Sequence, residues 1–311
     1  MDSLAELVQR SFRAWHLDDT GESSSGELPD EVELVPLAGG LTNRNFTFSH
    51  AGRTCVVRVP GERTELLGID RANEAEAATR AASLGVGPPV VGLLEGVGTL
   101  VTELVAGVHH EGVEFEKRLP DVVKLLQRFH RSGDLAGAFP IHRVVEWHTR
   151  DAALHGVRPP QTVDRLLAVS ARIEAAFAAT PDSAVPCHND LLPANVLFGP
   201  SRTWLLDYEY AGMNDRYFDL GNLAVNAALG PAADDTLLQL YFGSVTDRSR
   251  ARLVLMKIMS EFREGMWAVV QQAISTLDTD FVSYANERLD NCLRLATGQG
   301  IDALLQAAAS P

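Results

Sequence analysis

Basic residues are in short supply in this 311-residue chain, where 27 lysines and arginines face 41 aspartates and glutamates for a net charge of −14. That balance argues against a nucleic-acid partner, because a phosphate backbone calls for a basic stripe and none is visible. It suits a solvated surface and would draw a cationic small molecule. Cysteine is scarce as well. Cys55, Cys187 and Cys292 are odd in number, far apart and not at metal-ligand spacing, so they read as reduced thiols of a cytoplasmic protein. No run reaches the ~18 apolar residues of a membrane span, and Met1–Glu6 has neither the basic nor the apolar region of a secretion signal, so no membrane role is expected. His109, His110, His130, His142 and His148 lack cysteine partners at zinc-like spacing and read as core or surface residues.

What is present is a chain that is 46% hydrophobic, without repeats or long polar tracts, sized for one large domain or two lobes. Residues 1–31 read as a helix followed by an acidic, Ser- and Gly-rich loop. Residues 32–105 carry about five short runs with strand alternation: Glu33–Leu37, Asn45–Ser49, Thr54–Val59, Pro89–Leu94 and Thr99–Leu104. A helix over Asp70–Leu84 stops at Gly85. Residues 106–311 turn helical, with apolar residues at three-to-four spacing over Leu119–Arg131, Gln161–Ala179, Phe218–Leu229, Asp234–Phe242, Ser249–Ile274 and Asp280–Ala296. A β-rich lobe followed by a mainly helical one is an α+β arrangement, with a nucleotide expected in the crevice between them.

The chemistry concentrates between Cys187 and Asn222. Moving a γ-phosphoryl group from ATP to a hydroxyl needs a carboxylate to orient the attacking O–H and oxygen ligands to hold Mg²⁺. His188-x-Asp190-x-x-x-x-Asn195 has the Asp-to-Asn interval of a protein-kinase catalytic loop. The runs Val196–Phe198 and Trp204–Leu206 read as a hairpin about a Gly-Pro turn, which returns Asp207 to Asn195. Asp190 is thus the candidate catalytic carboxylate, and Asn195 and Asp207 the candidate metal ligands. In the small lobe, Gly39, Gly40, Thr42 and Asn43 form a small-residue turn that lets backbone N–H groups approach phosphates. Arg58 stands near a strand end, able to fork onto phosphate oxygens and pair with Glu74, or with Glu76 two positions on.

With its His-x-Asp-x-x-x-x-Asn loop, Asp207–Tyr210 and Phe218–Asn222, the chain resembles the choline/ethanolamine kinase branch of the aminoglycoside phosphotransferase-like kinases, from about Val32 to Asn291. The resemblance implies a protein-kinase-like two-lobed fold, a monomer or homodimer, ATP and Mg²⁺ as cofactors, and a small hydroxyl acceptor of cationic character. It implies that His188 braces the loop, that Arg58 and the Gly-Gly-x-Thr-Asn turn hold phosphates, and that the Glu103 carbonyl and Val105 amide meet adenine. Substrate contacts fall to Asp190, Glu209, Asn226, Glu264 and Trp267. Here the chain departs from its relatives: Glu264 replaces the first of two tryptophans, and Asn226-Ala227 a Glu-Trp pair. Trp267 reads as a cage wall or a packed core aromatic, Glu264 as a ligand or part of a solvated face with Arg263 and Glu261. A carboxylate in place of an aromatic favours a primary or polyhydroxylated amine over a quaternary ammonium. An aminoglycoside-type acceptor and a silent kinase-fold binding module are the alternatives.

Overall fold

Short runs rich in β-branched and aromatic residues make strands of the segments before residue 105. In the computed structural model, which describes residues 6, 8, 33–37, 43–50, 52–61, 63–94, 99–298 and 300–311, these form one antiparallel sheet. Strands β1 (Val35–Leu37), β2 (Asn43–His50), β3 (Arg53–Pro60), β4 (Val90–Leu94) and β5 (Thr99–Glu103) lie in the order β1-β2-β3-β5-β4. The β2–β3 register pairs Phe48 with Cys55 and Phe46 with Val57. Phe48, Cys55, Val57, Leu94 and Val101 then share one small core with Val8. Period-2 geometry sends Arg58, next to Val57, to the opposite face.

Helix α1 (Arg71–Ser83) starts where Asp70 caps it, accepting from the N–H groups of Ala72 at 2.8 Å and Asn73 at 3.3 Å. It stops at Gly85, whose φ of 61° suits a residue without a Cβ. Its shallow face of Ala77, Ala78 and Ala81 belongs to the core of the larger lobe and not to that of the sheet. The same helix also packs on β4, so α1 bridges the sheet and the larger lobe.

That larger lobe holds α2 (Gly112–Glu116), α3 (Leu119–His130), α4 (Ile141–Leu154), α5 (Thr162–Ala179), α6 (Arg216–Asn226), α7 (Pro231–Phe242), α8 (Asp247–Ile274), α9 (Phe281–Gly298) and α10 (Ile301–Ala308). Helices α2, α4 and α10 were not expected from the pattern. The buried face of α4 is Ile141, Val144, Val145, His148 and Ala152, in which three β-branched residues and a histidine obscure the helical period. Helix α8 is buried nearly all round and packs against α4, α6, α9 and α10, which makes it the axis of the lobe. Two short ribbons complete the fold. The expected hairpin is β7 (Val196–Phe198) with β8 (Thr203–Leu205), and β6 (Val185–Cys187) pairs with β9 (Gly212–Asn214). The fold is a two-lobed α+β arrangement. Among the described residues no helix is long and apolar enough to cross a membrane.

Candidate active site

The two ribbons bracket residues 188–195, and a buried carboxylate aims the backbone between them. Asp219 on α6 accepts from the His188 N–H at 2.8 Å and the Asn189 N–H at 2.7 Å. His130 Nε2 lies 2.9 Å from the same carboxylate, and its Nδ1 lies 2.7 Å from the Tyr241 hydroxyl. Facing a carboxylate, Nε2 carries the proton, so Nδ1 accepts from the tyrosine. Asp219 is fully buried, and these donors compensate the desolvation of its charge. His130 therefore has a core role, supporting the loop through Asp219. Asn189 sits at φ 64°, a left-handed conformation that asparagine tolerates, and its side-chain amide donates to Tyr210 O at 2.9 Å. His188 Nε2 donates to Leu206 O at 2.8 Å, tying the loop to the residue before Asp207.

Helix α6 can reach the loop because Gly221 lets it approach α8 closely: a Cβ there would stand 2.7 Å from the Met256 carbonyl carbon. One residue on, Asn222 accepts from the Leu191 N–H and donates to Ser260 Oγ at 3.0 Å. The Phe-Asp-Leu-Gly-Asn element is thus a bracket for the loop backbone.

On this frame stand the chemical groups. Asn195 Nδ2 donates to the Asp190 carbonyl at 2.9 Å and to its carboxylate at 3.3 Å, which leaves Asn195 Oδ1 as the atom that could meet a metal. The Leu206 N–H donates to Asn195 O at 2.8 Å, so Asp207 starts beside Asn195. Asp207 has φ 69°, an uncommon conformation for a non-glycine residue that the surrounding ribbons enforce. A carboxylate and an amide oxygen held side by side are the hard oxygen donors that suit Mg²⁺.

Arg58 reaches from β3 to Asp207 and also lies 3.4 Å from Glu74. Glu74, 4% exposed, takes Arg71 at 2.6 Å, and Arg71 stands 3.6 Å from Glu209. Glu76 is committed elsewhere, to Arg80 at 2.9 Å and the Ala136 N–H at 3.0 Å, so Glu74 is the partner of Arg58. Burial works against the Arg58 charge, but the carboxylates of Asp207, Glu209 and Glu74 outweigh it and push its pKa up. Asp190 is shifted in the other sense. Burial raises it to about 6, Glu264 and Asp207 add to the rise, and the Arg263 guanidinium opposes it.

Arg263 is the residue that sequence reasoning missed, having been placed only as a neighbour of Glu264 on a solvated face. It is 2% exposed on α8, and its Nη1 lies 3.1 Å from Asp190 and 2.8 Å from Glu264. Its guanidinium carbon stands 4.2 Å from the centre of the Tyr210 ring. Glu264 accepts a second bond, from the Tyr284 hydroxyl at 2.8 Å. The solvated-face alternative for Glu264, Arg263 and Glu261 is therefore wrong, since α8 has no solvated face at that point. The signal lay in the apolar company of Phe262, Met266, Trp267, Val269 and Val270, which surround any charge at position 263.

Trp267 is 6% exposed, with its Nε1 donating to the Tyr210 hydroxyl at 3.0 Å and its ring edge-on to Phe281 and Tyr284. It is a packed aromatic that supports Tyr210, not an open wall. Asn226 is half-buried, with its amide 3.4 Å from Leu191 O. At the lobe junction the Glu103 N–H donates to Pro89 O at 2.9 Å, its carboxylate meets Arg53 at 3.3 Å, and Val105 follows two residues on. Gly39, Gly40 and Thr42 lie outside the described residues, and of Asn43 only the backbone, opening β2, is described.

Residues 33–254 match the model of the phosphotransferase enzyme family. The chain belongs to that family. The phosphotransferase is 28% identical to ethanolamine kinase 2 of Homo sapiens over 302 residues, 86% of this chain and 77% of the relative. It is 28% identical to protein LicA of Haemophilus influenzae over 270 residues, 83% of this chain and 78% of the relative. Among solved structures, a choline/ethanolamine kinase family protein from Mesorhizobium loti superposes with a TM-score of 0.75 at 28% identity, covering 97% of this chain and 99% of that one.

Proposed function

We propose that this phosphotransferase is an ATP- and Mg²⁺-dependent small-molecule kinase that transfers the γ-phosphoryl group to a hydroxyl of an amine-bearing metabolite. One observation carries the reading: Asp190, Asn195 and Asp207 converge on a single tied loop, and Arg58 reaches Asp207 from the opposite lobe. Mg²⁺, when bound by Asp207 and Asn195 Oδ1, neutralises charge on the phosphates. Asp190, ionised above about pH 6, orients the acceptor hydroxyl and takes its proton. Arg58, held by Glu74, steadies the phosphates, while His188 braces the loop. Adenine lies against the Glu103 carbonyl and the Val105 amide, and the turn of Gly39, Gly40, Thr42 and Asn43 covers the phosphates. Glu209, Asn226 and Glu264 line the acceptor end, with Trp267 beneath Tyr210. Support for the acceptor class comes from relatives named ethanolamine kinases and from the carboxylates at that end. The aminoglycoside alternative has the shared family and a shared fold behind it.

The test is ADP release by the purified protein with Mg²⁺ and a panel of choline, ethanolamine, other amino alcohols, amino sugars and aminoglycosides. Acceptor-dependent ADP release that stops on chelation of the metal is expected. Turnover equal with and without every acceptor would overturn the reading.

A further inference from the structure

Arg263 is fixed on every side but one. Its Nη1 serves both Asp190 and Glu264, and its flat face lies over Tyr210. The groups around it are themselves held, Glu264 by Tyr284 and Tyr210 by Trp267. The Nε and Nη2 atoms, which make up the side-on edge of the guanidinium, are buried and have no hydrogen-bond partner. Buried donors of a charged group are ordinarily satisfied, and each orphan in a native site calls for an explanation. Stacking on Tyr210 does not supply one, because a ring face meets the guanidinium plane while the N–H groups point out of its edge. Two parallel N–H groups in that fork are the geometry that takes a carboxylate in two hydrogen bonds. The same guanidinium already pairs with Asp190 and Glu264, so a ligand cation would compete with it for those two carboxylates.

We propose that Arg263 is the specificity residue of the acceptor site and that its free edge takes a carboxylate carried by the acceptor. This rests on the kinase reading above and narrows its acceptor to a hydroxyl compound that bears both an amine and a carboxylate. The edge is closed to solvent in this structure, so binding requires the guanidinium to turn about its Nη1 contacts until the edge meets the acceptor. A second orphan lies on the neighbouring helix α4. His148 Nε2 stands 3.4 Å from Leu67 O and so carries the proton, which leaves the buried Nδ1 as an acceptor without a donor. Burial and then the Arg263 charge lower His148 to about 4, so the imidazole stays neutral. A single trapped water is the rival explanation for these orphans, and it makes Arg263 indifferent to the acceptor.

Matched acceptor pairs that differ only by a carboxylate separate the two: serine against ethanolamine, and homoserine against 3-aminopropanol. The wild-type protein is expected to favour the carboxylate-bearing member in kcat/KM by roughly 30-fold or more, the range for losing one partner of a buried charged pair. Arg263→Met should abolish that preference, and Arg263→Lys, which keeps charge but not the fork, should restore only part of it. Reading the ratio within each pair cancels any general loss from a displaced Asp190, and circular dichroism checks that each variant folds. Equal or greater kcat/KM for the decarboxylated members would overturn the proposal while leaving the kinase reading intact. Absence of acceptor-dependent ADP release across both pairs and the wider panel would overturn both.

Discussion

At the proposed catalytic end of the cleft, Asp190, Asn195 and Asp207 lie in one short stretch of chain whose backbone is tied by hydrogen bonds, with Asp219 holding the loop by its N–H groups. At the proposed acceptor end, Arg263, Glu264 and Trp267 are side chains of one long helix, aimed through side-chain contacts with Tyr210 and Tyr284. A backbone-built site keeps its shape whatever small molecule is handled, because the aiming groups are not the ones that touch substrate. A site built of side chains can be re-specified by replacing one of them. The difference separates a fixed reaction from an adjustable acceptor.

Breaking the catalytic end should give the largest effect. Asp190→Ala is expected to lower kcat by roughly 10²–10⁴-fold with nucleotide affinity nearly unchanged, measured by steady-state kinetics and nucleotide titration. Asp219→Ala touches no substrate, yet it strips two buried backbone N–H groups and the His130 Nε2–H of their acceptor at about 1–3 kcal/mol each. A fall of about 3–9 kcal/mol in urea-unfolding stability should accompany its loss of activity. Gly221→Val pushes α6 off α8 and should lower stability by about 1–3 kcal/mol through overpacking, again by urea titration.

The pH dependence sharpens the comparison with a smaller effect. Asp190 must be ionised to act, so kcat/KM should rise through an apparent pKa near 6. Arg263 opposes the upward shift and Glu264 adds to it, so Arg263→Met should move that limb to higher pH and Glu264→Gln to lower pH. The stability contribution has the opposite slope. The native carboxyl keeps its proton up to about 6 while the unfolded one loses it near 3.8, so this group's contribution falls as pH rises through that window.

What could be read from the sequence followed the same division. That Asp190, Asn195 and Asp207 come together was legible because their geometry depends on intervals of a few residues and a hairpin with a Gly-Pro turn. The sheet and α1 were legible from alternation and from the Asp70 cap. The pairing of β6 with β9 was not, because three residues containing Pro186 carry no periodic signal. Helix α4 was lost because His148 on its buried face reads as polar. Arg263 was visible as a residue but not as a participant, since its meaning depends on which face of α8 meets α4, α6 and α9. Asp219 belonged to a legible motif, but its role is to hold backbone, which no side-chain pattern reveals.

The burial of α1's alanine face in the larger lobe's core has a mechanical consequence. Because α1 touches both β4 and the larger lobe's core, an opening that slid the sheet past α1 would carry Arg58 away from Glu74. Their ion pair then works as a latch that engages only in the closed form. Distance labels on β2 and α1 should draw together when nucleotide binds, whereas labels on α1 and α3 should hold their spacing. Equal movement in both pairs would rule out that slide.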